Sequence, residues 1–226
     1  MESTDKAVEV YQLRIWIRKI SPQIWRRLLV RSDSTIAQLH DTLQIAFGWT
    51  DEHLHQFLIR GKPYGIGRVG GISFDDNPHQ IRLRDFHFRC KETWVYEYDL
   101  TDWWQHEIRL EQILPLDPAK RYPICVAGKR RGPIEDCGGA FAFMKLQDEY
   151  PLWKVMPQFA QFLLDHRDDL DDYRDELRQL AYWVVREDVD RRAVNHRLAE
   201  YGAASTQEKG GQDAYPGSVA NMPMLW

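Results

Sequence analysis

The chain has 226 residues, 43% of them hydrophobic and 12% aromatic, which suffices for one ordinary globular core with an appendage. With 30 basic against 34 acidic side chains the formal charge is −4, which argues against a generally cationic nucleic-acid binder. No run reaches the ~18 apolar residues of a membrane span, and the opening MESTDKAVEV has no signal-peptide pattern, so a soluble cytoplasmic protein is expected.

Residues 8–17 alternate, with Tyr11, Leu13, Ile15 and Ile17 on one side and Gln12 and Arg14 on the other, which is the period of a strand. Ser21-Pro22 breaks the chain before a second extended stretch, Ile24 to Val30, so the two read as a hairpin or near neighbours. Thr35 followed by Gln38 fits a capping box. Ile36, Leu39, Leu43 and Phe47 recur at helical spacing, Gly48 supplies the stop, and His40 lies beside this stripe as a partly covered polar residue. A short strand is expected from Phe57 to Arg60, followed by a loop with glycines at 65, 67, 70 and 71. Gly65-x-Gly67-x-x-Gly70 spells a dinucleotide fingerprint, but the turn-forming ISFDDNPH follows where a helix would have to open.

Thr93 to Leu100 alternates with Trp94, Tyr96, Tyr98 and Leu100 on one face. Beyond a turn at Thr101-Asp102, Trp104, His106, Ile108 and Leu110 continue a hairpin with one dry face. Pro115, Pro118 and Pro123 predict an irregular stretch, and AGKRRGPIEDCGGAF reads as turns. From Pro157 onward the pattern becomes helical, with stripes through Phe159, Phe162 and Leu163, then Leu170 to Val184, then Val189 to Tyr201. The expected architecture is α+β: an antiparallel or mixed sheet with one face under the 35–47 helix and the other partly under the C-terminal helices. Residues 1–202 form one domain in this reading, and 203–226, rich in Gly, Ala, Ser and Gln, a disordered tail.

Four blocks in this order, IWRRLLV, LHDTLQIAFGWTDEHLHQF, YEYDLTDWWQHEIRLE and YPICVAGKRRGPIEDCGGAFAFMKL, resemble the plasmid pRiA4b ORF-3-like family, some of whose members carry a transposon-passenger TnpR label. The resemblance spans about residues 8 to 200 and implies an α+β domain associated with plasmids and mobile elements, without a particular reaction. Three places depart from the family pattern. Tyr98-Asp99-Leu100-Thr101-Asp102 lacks the usual glycine of its turn, Pro133-Ile134 replaces paired prolines, and Ala142-Phe143 replaces Gly-Tyr. The changes keep the acids and alter the loops. A serine recombinase is not expected, because Ser21, Ser32, Ser34 and Ser73 sit at caps or turns without an arginine cluster.

The polar residues of these blocks supply the candidate site. His53-x-His55 on an extended segment would turn both imidazoles to one face, and with Asp99 and Asp102 they could hold a divalent metal ion. Glu135 or Asp136 would then be the general base, with His106 a further catalytic candidate and Trp104, Cys125 and Cys137 lining the pocket. Each residue also has a structural reading. His106 shares its face with Trp104 and Ile108, Asp99 and Asp102 flank a turn, Glu135-Asp136 precedes Gly138-Gly139, and the cysteines can pack as small apolar groups. Cys90, Cys125 and Cys137 form no CxxC pair, which excludes a four-cysteine zinc site.

Asp168-Asp169-Leu170-Asp171-Asp172 matches a magnesium-diphosphate pattern, but Arg174 and Arg178 suggest a solvated, ion-paired helix start. Lys129-Arg130-Arg131, with Lys120 and Arg121 upstream, is the one place suited to nucleic-acid backbone contact. The leading functional expectation is an accessory or binding domain of mobile-element origin, engaging a protein or a nucleic-acid backbone. A metal-dependent hydrolase is the alternative.

Overall fold

The computed structural model describes residues 7–67 and 73–207. Strand β1 (Glu9–Ile17) turns Tyr11, Leu13, Ile15 and Ile17 into the core, as their alternation requires. β2 (Trp25–Arg31) lies antiparallel to it, with Leu13 opposite Leu28 and Ile15 opposite Arg26. Helix α1 (Ile36–Phe47) carries the expected capping box: the Thr35 hydroxyl accepts from the Gln38 N–H at 3.1 Å, and the Gln38 side chain accepts from the Thr35 N–H at 3.0 Å. Gly48, at φ 83, closes the helix. His40, read as partly covered, is fully buried.

β3 (His55–Ile59) begins two residues before the expected Phe57, because His55 occupies an inward position that hides the alternation with Phe57 and Ile59. β4 (Lys62–Tyr64) pairs with it. Gly70 and Gly71 of the glycine motif lie outside the described residues. β5 (Thr93–Tyr98) and β6 (Trp104–Pro115) form the expected hairpin, with Tyr98 opposite Trp104. Asp99 takes φ 52 and ends β5, so Leu100 is not part of the dry face. β7 (Ile124–Lys129) runs where prolines had suggested irregular chain. Pro118 and Pro123 both precede the strand rather than interrupt it, and it pairs with β2 at the sheet edge.

The seven strands make one antiparallel sheet in the order β4-β3-β5-β6-β1-β2-β7. Four further helices follow: α2 (Gly139–Glu149), α3 (Leu152–Asp165), α4 (Arg174–Val185) and α5 (Arg191–Gln207). Helical chain therefore starts well ahead of Pro157, which lies inside α3. α5 runs past the expected boundary at 202, and residues from 208 onward lie outside the described residues.

The helices do not divide between the two faces of the sheet as expected. The C-terminal helices cover the same face as α1: Phe143 of α2 meets the inward Trp104, and the Tyr201 hydroxyl donates to Asp41 of α1 at 2.7 Å. Among the described residues the opposite face carries paired polar and charged side chains. Arg27 forms a two-pronged pair with Glu111 at 2.6 and 2.9 Å, Gln12 donates to the same carboxylate, and Arg14 stacks on Trp25. On the helical layer, α3 leaves Leu152, Trp153, Met156 and Leu164 exposed. No helix among the described residues is long and apolar enough to cross a membrane.

Candidate functional site

Three connections meet at one end of the sheet: residues 49–54 between α1 and β3, the turn 99–103 between β5 and β6, and residues 130–138 leading into α2. Their polar groups tie them together. Glu135 accepts from the Tyr98 hydroxyl at 2.6 Å, the Thr50 hydroxyl at 2.8 Å and the Thr50 N–H at 3.2 Å. Trp49 donates its indole N–H to the Pro133 carbonyl at 3.0 Å, and Asp102 accepts from the Gly138 N–H at 2.9 Å. The glycines here serve close approach: a Cβ on Gly132 would fall 2.0 Å from the Phe47 carbonyl oxygen, and one on Gly139, at φ 80, 2.3 Å from that of Asp102. Glu135, through both oxygens, and Asp102, through Oδ2, thus fasten loops.

His53 stands between two other acids. Its Nδ1 is 3.8 Å from Asp99 Oδ1 and its Nε2 is 3.2 Å from Asp136 Oδ1. Asp99 is buried and accepts from the N–H groups of Thr101 and Asp102 at 3.0 and 3.3 Å, whereas the Asp136 side chain is 71% exposed. One ligating atom from each of the three residues lies within 4.8 Å of the others.

His55, expected beside His53, instead joins a second, interior cluster. His40 Nε2 meets Asp51 Oδ1 at 2.8 Å, and its Nδ1 meets the Tyr96 hydroxyl at 2.8 Å. Gln44 donates to that hydroxyl at 2.8 Å and accepts from the Asp51 N–H at 3.1 Å. With the proton of His40 on Nε2, the bonds close a ring through Gln44, Tyr96, His40 and Asp51, each donor facing an acceptor. Burial pushes the Tyr96 phenol well above its ordinary pKa. His55 stacks on His40 at 3.5 Å with the rings 10° from parallel. A metal ion must lie in the plane of each imidazole that binds it, about 2.0–2.1 Å from the nitrogen, so two parallel rings at this spacing cannot share one.

Other candidates sit apart from this surface. His106 is wholly enclosed by Phe47, Trp49 and Tyr96, at 4.8, 4.9 and 5.3 Å between ring centres. Neither of its nitrogens has a hydrogen-bond partner among the described residues, and burial pushes its pKa down to about 3. A side chain so enclosed has no route to a substrate. Trp104 lies in the same core, and its indole N–H has no partner among the described residues. Cys125 is buried in β7, where Asn195 brackets its backbone at 2.7 and 3.0 Å, and burial raises its pKa. Cys137 is close to the rim, and burial pushes its thiol up to about 11.

The basic run divides. Arg130 pairs with Glu187 at 2.7 Å, Arg131 is half-buried with a pKa lowered by burial, and Lys120 pairs with Asp117 at 3.0 Å. The carbonyls of Lys129 and Arg130 accept from the buried Arg26 at 3.2 and 2.7 Å. Arg121 lines a separate groove of about 630 Å³ beside Arg31, Asp33, Gln38 and Tyr201. The DDxxD stretch lies in turns ahead of α4, where Asp168 and Asp171 pair with Arg167 and Arg174.

Sequence reasoning missed the Gln44–Tyr96–His40–Asp51 ring, whose members come from three separate segments with no common spacing. It also missed two large aromatics left in solvent at the site: Trp103, 58% exposed in the β5–β6 turn, and Phe141, 87% exposed in the first turn of α2. Both lie within three residues of the Asp102–Gly138 contact.

The family model for the plasmid pRiA4b ORF-3-like protein matches residues 9–152. The uncharacterized protein y4hQ of Sinorhizobium fredii (strain NBRC 101917 / NGR234) is 27% identical over 140 residues, covering 60% of this chain and 70% of that protein. A crystal structure of a protein of unknown function, MM3350 from Methanosarcina mazei Go1, superposes with a TM-score of 0.59 at 30% identity, over 83% of this chain and 97% of that one. The matched span holds every residue of the three connections, and it places the chain in a family: the protein belongs to the plasmid pRiA4b ORF-3-like family.

Proposed function

We propose that the protein is a cytoplasmic accessory domain of mobile-element origin that binds another protein through the connection end of its sheet. The observation that carries this reading is the pair of solvent-exposed aromatics, Trp103 and Phe141, mounted beside acids that are otherwise committed to holding the loops. Exposed aromatics of this size are the usual anchors of protein interfaces. The plasmid designation of the family supports the mobile-element origin, and three free cysteines suit a reducing compartment.

Charge narrows the partner. Among the described residues no Lys or Arg pairs with Asp99, Asp102, Glu135 or Asp136. The face therefore suits a segment bearing Lys or Arg, whose cations can sit over the rings of Trp103 and Phe141. Nucleic-acid backbone fits less well, because Arg130 and Lys120 are engaged by Glu187 and Asp117.

Selection of a displayed peptide library on the immobilised protein tests the proposal. Wild type is expected to enrich Lys- or Arg-bearing peptides, and the Trp103→Ser, Phe141→Ser double variant is expected to enrich none. Equal enrichment on both proteins would overturn it, as would manganese-dependent turnover of a generic phosphoester that His53→Ala abolishes.

A further inference from the structure

We infer that His53, Asp99 and Asp136 bind one divalent transition-metal ion, which fastens the three connections and so fixes the positions of Trp103 and Phe141. The link to the aromatic pair rests on the reading above; the metal site itself does not.

One imidazole and two carboxylates are the mixed N,O set that suits Mn, Fe, Co, Ni or Zn, and each comes from a different connection. His53 Nε2 is a buried atom only 3.2 Å from Asp136 Oδ1, yet it has no hydrogen-bond partner among the described residues. At that distance a donor and an acceptor aimed at one another would bond. Two ligands aimed at a common ion lie about this far apart without bonding, since bonds of about 2.0–2.2 Å at tetrahedral angles set ligand atoms roughly 3.4 Å from each other.

The charge is also in deficit. Asp99 is buried, the one ring near it stands 3.8 Å away, and no Lys or Arg pairs with it or with Asp136 among the described residues. A buried carboxylate without a cation is costly, and a metal ion supplies the missing charge. Asp99 Oδ1 accepts from both the Thr101 and Asp102 amides, so the carboxylate is already oriented. Asp136 has an exposed side chain free to move onto the ion, and water completes the coordination. Glu135 and Asp102, occupied by protein donors, stay outside the shell.

The test is calorimetric titration of the full chain, stripped with chelator, with Zn²⁺ and Mn²⁺, together with the visible spectrum on adding Co²⁺. About one equivalent is expected to bind wild type and His196→Ala, whose imidazole is 75% exposed and remote in α5. Affinity is expected to fall by about tenfold or more in both Asp136→Asn and His53→Ala. Thermal melts of the stripped proteins show that each variant is folded, and the exposed position of Asp136 keeps that variant informative if His53→Ala unfolds. Absence of binding at millimolar metal would overturn the inference, and so would binding that both variants retain. Metal binding without peptide enrichment would overturn only the partner reading; peptide enrichment insensitive to chelator, in a protein that takes up no metal, would overturn only the metal site.

Discussion

Acidification of wild type and of His106→Leu isolates the cost of the enclosed imidazole. His106 has a folded pKa of about 3 against an ordinary 6.5, because burial disfavours the cation. Between these values the unfolded chain binds the proton and the native one does not, so stability is full above about pH 6.5 and falls as pH drops toward 3. At 1.36 kcal/mol per unit, the two units from pH 6.5 to 4.5 remove about 2.7 kcal/mol, a large share of the 5–15 kcal/mol typical of a domain. Leucine has a comparable volume and no proton to bind. It also removes two buried nitrogens without partners, so the neutral-pH cost of the exchange is expected to stay within about 1 kcal/mol. Urea titrations followed by tryptophan fluorescence at pH 7.5, 6, 5 and 4.5 give both stability curves. The other seven of the eight histidines are common to the two proteins, so the difference between the curves reports His106. Wild type should lose about 2–3 kcal/mol relative to the variant over this range. Parallel curves would refute the enclosure of the ring.

Three further outcomes follow from the geometry. Tyr96→Phe strips the hydroxyl that joins Gln44 to His40, leaving two buried groups unsatisfied, and urea unfolding should show a loss of about 2–4 kcal/mol. Gly132→Ala drives a Cβ to 2.0 Å from the Phe47 carbonyl, so the 130–138 connection must shift, and the thermal midpoint should drop by several degrees. Replacing Lys129 and Arg130 by Ala should leave nucleic-acid retention on a heparin or DNA column unchanged, since Arg130 is paired with Glu187. A clear loss of retention would restore the basic run as a contact surface.

The elements that were legible in the sequence owe it to short-range periodicity. Thr35, Gln38 and Gly48 bracket α1 through bonds spanning three or four residues, and the alternation of β1, β5 and β6 is read from neighbours on the same strand. β7 was hidden because its pairing partner, β2, lies about a hundred residues earlier and its own sequence is bounded by prolines. The shared layer of the helices depended on which sheet face carries the paired polar side chains. That became readable only once Arg27, Glu111 and Gln12 were seen to meet. At the site, the sequence brought His53, Asp99 and Asp136 into view, though with Asp102 as a ligand and Asp136 as a general base. It did not separate His55 from His53, since the pull of Asp51 and Tyr96 on His40, and the stacking of His55 upon it, act through space.

The central claim, that the connection end of the sheet is the binding surface, is tested most directly by a photo-crosslinking amino acid placed in living cells. It would be inserted at position 103, at position 141 and, as the control, at position 60, in the β3–β4 turn. Adducts to Lys- or Arg-bearing segments of another protein are expected from positions 103 and 141, and none from position 60. Adducts of equal abundance at all three positions, or from position 60 alone, would contradict the claim.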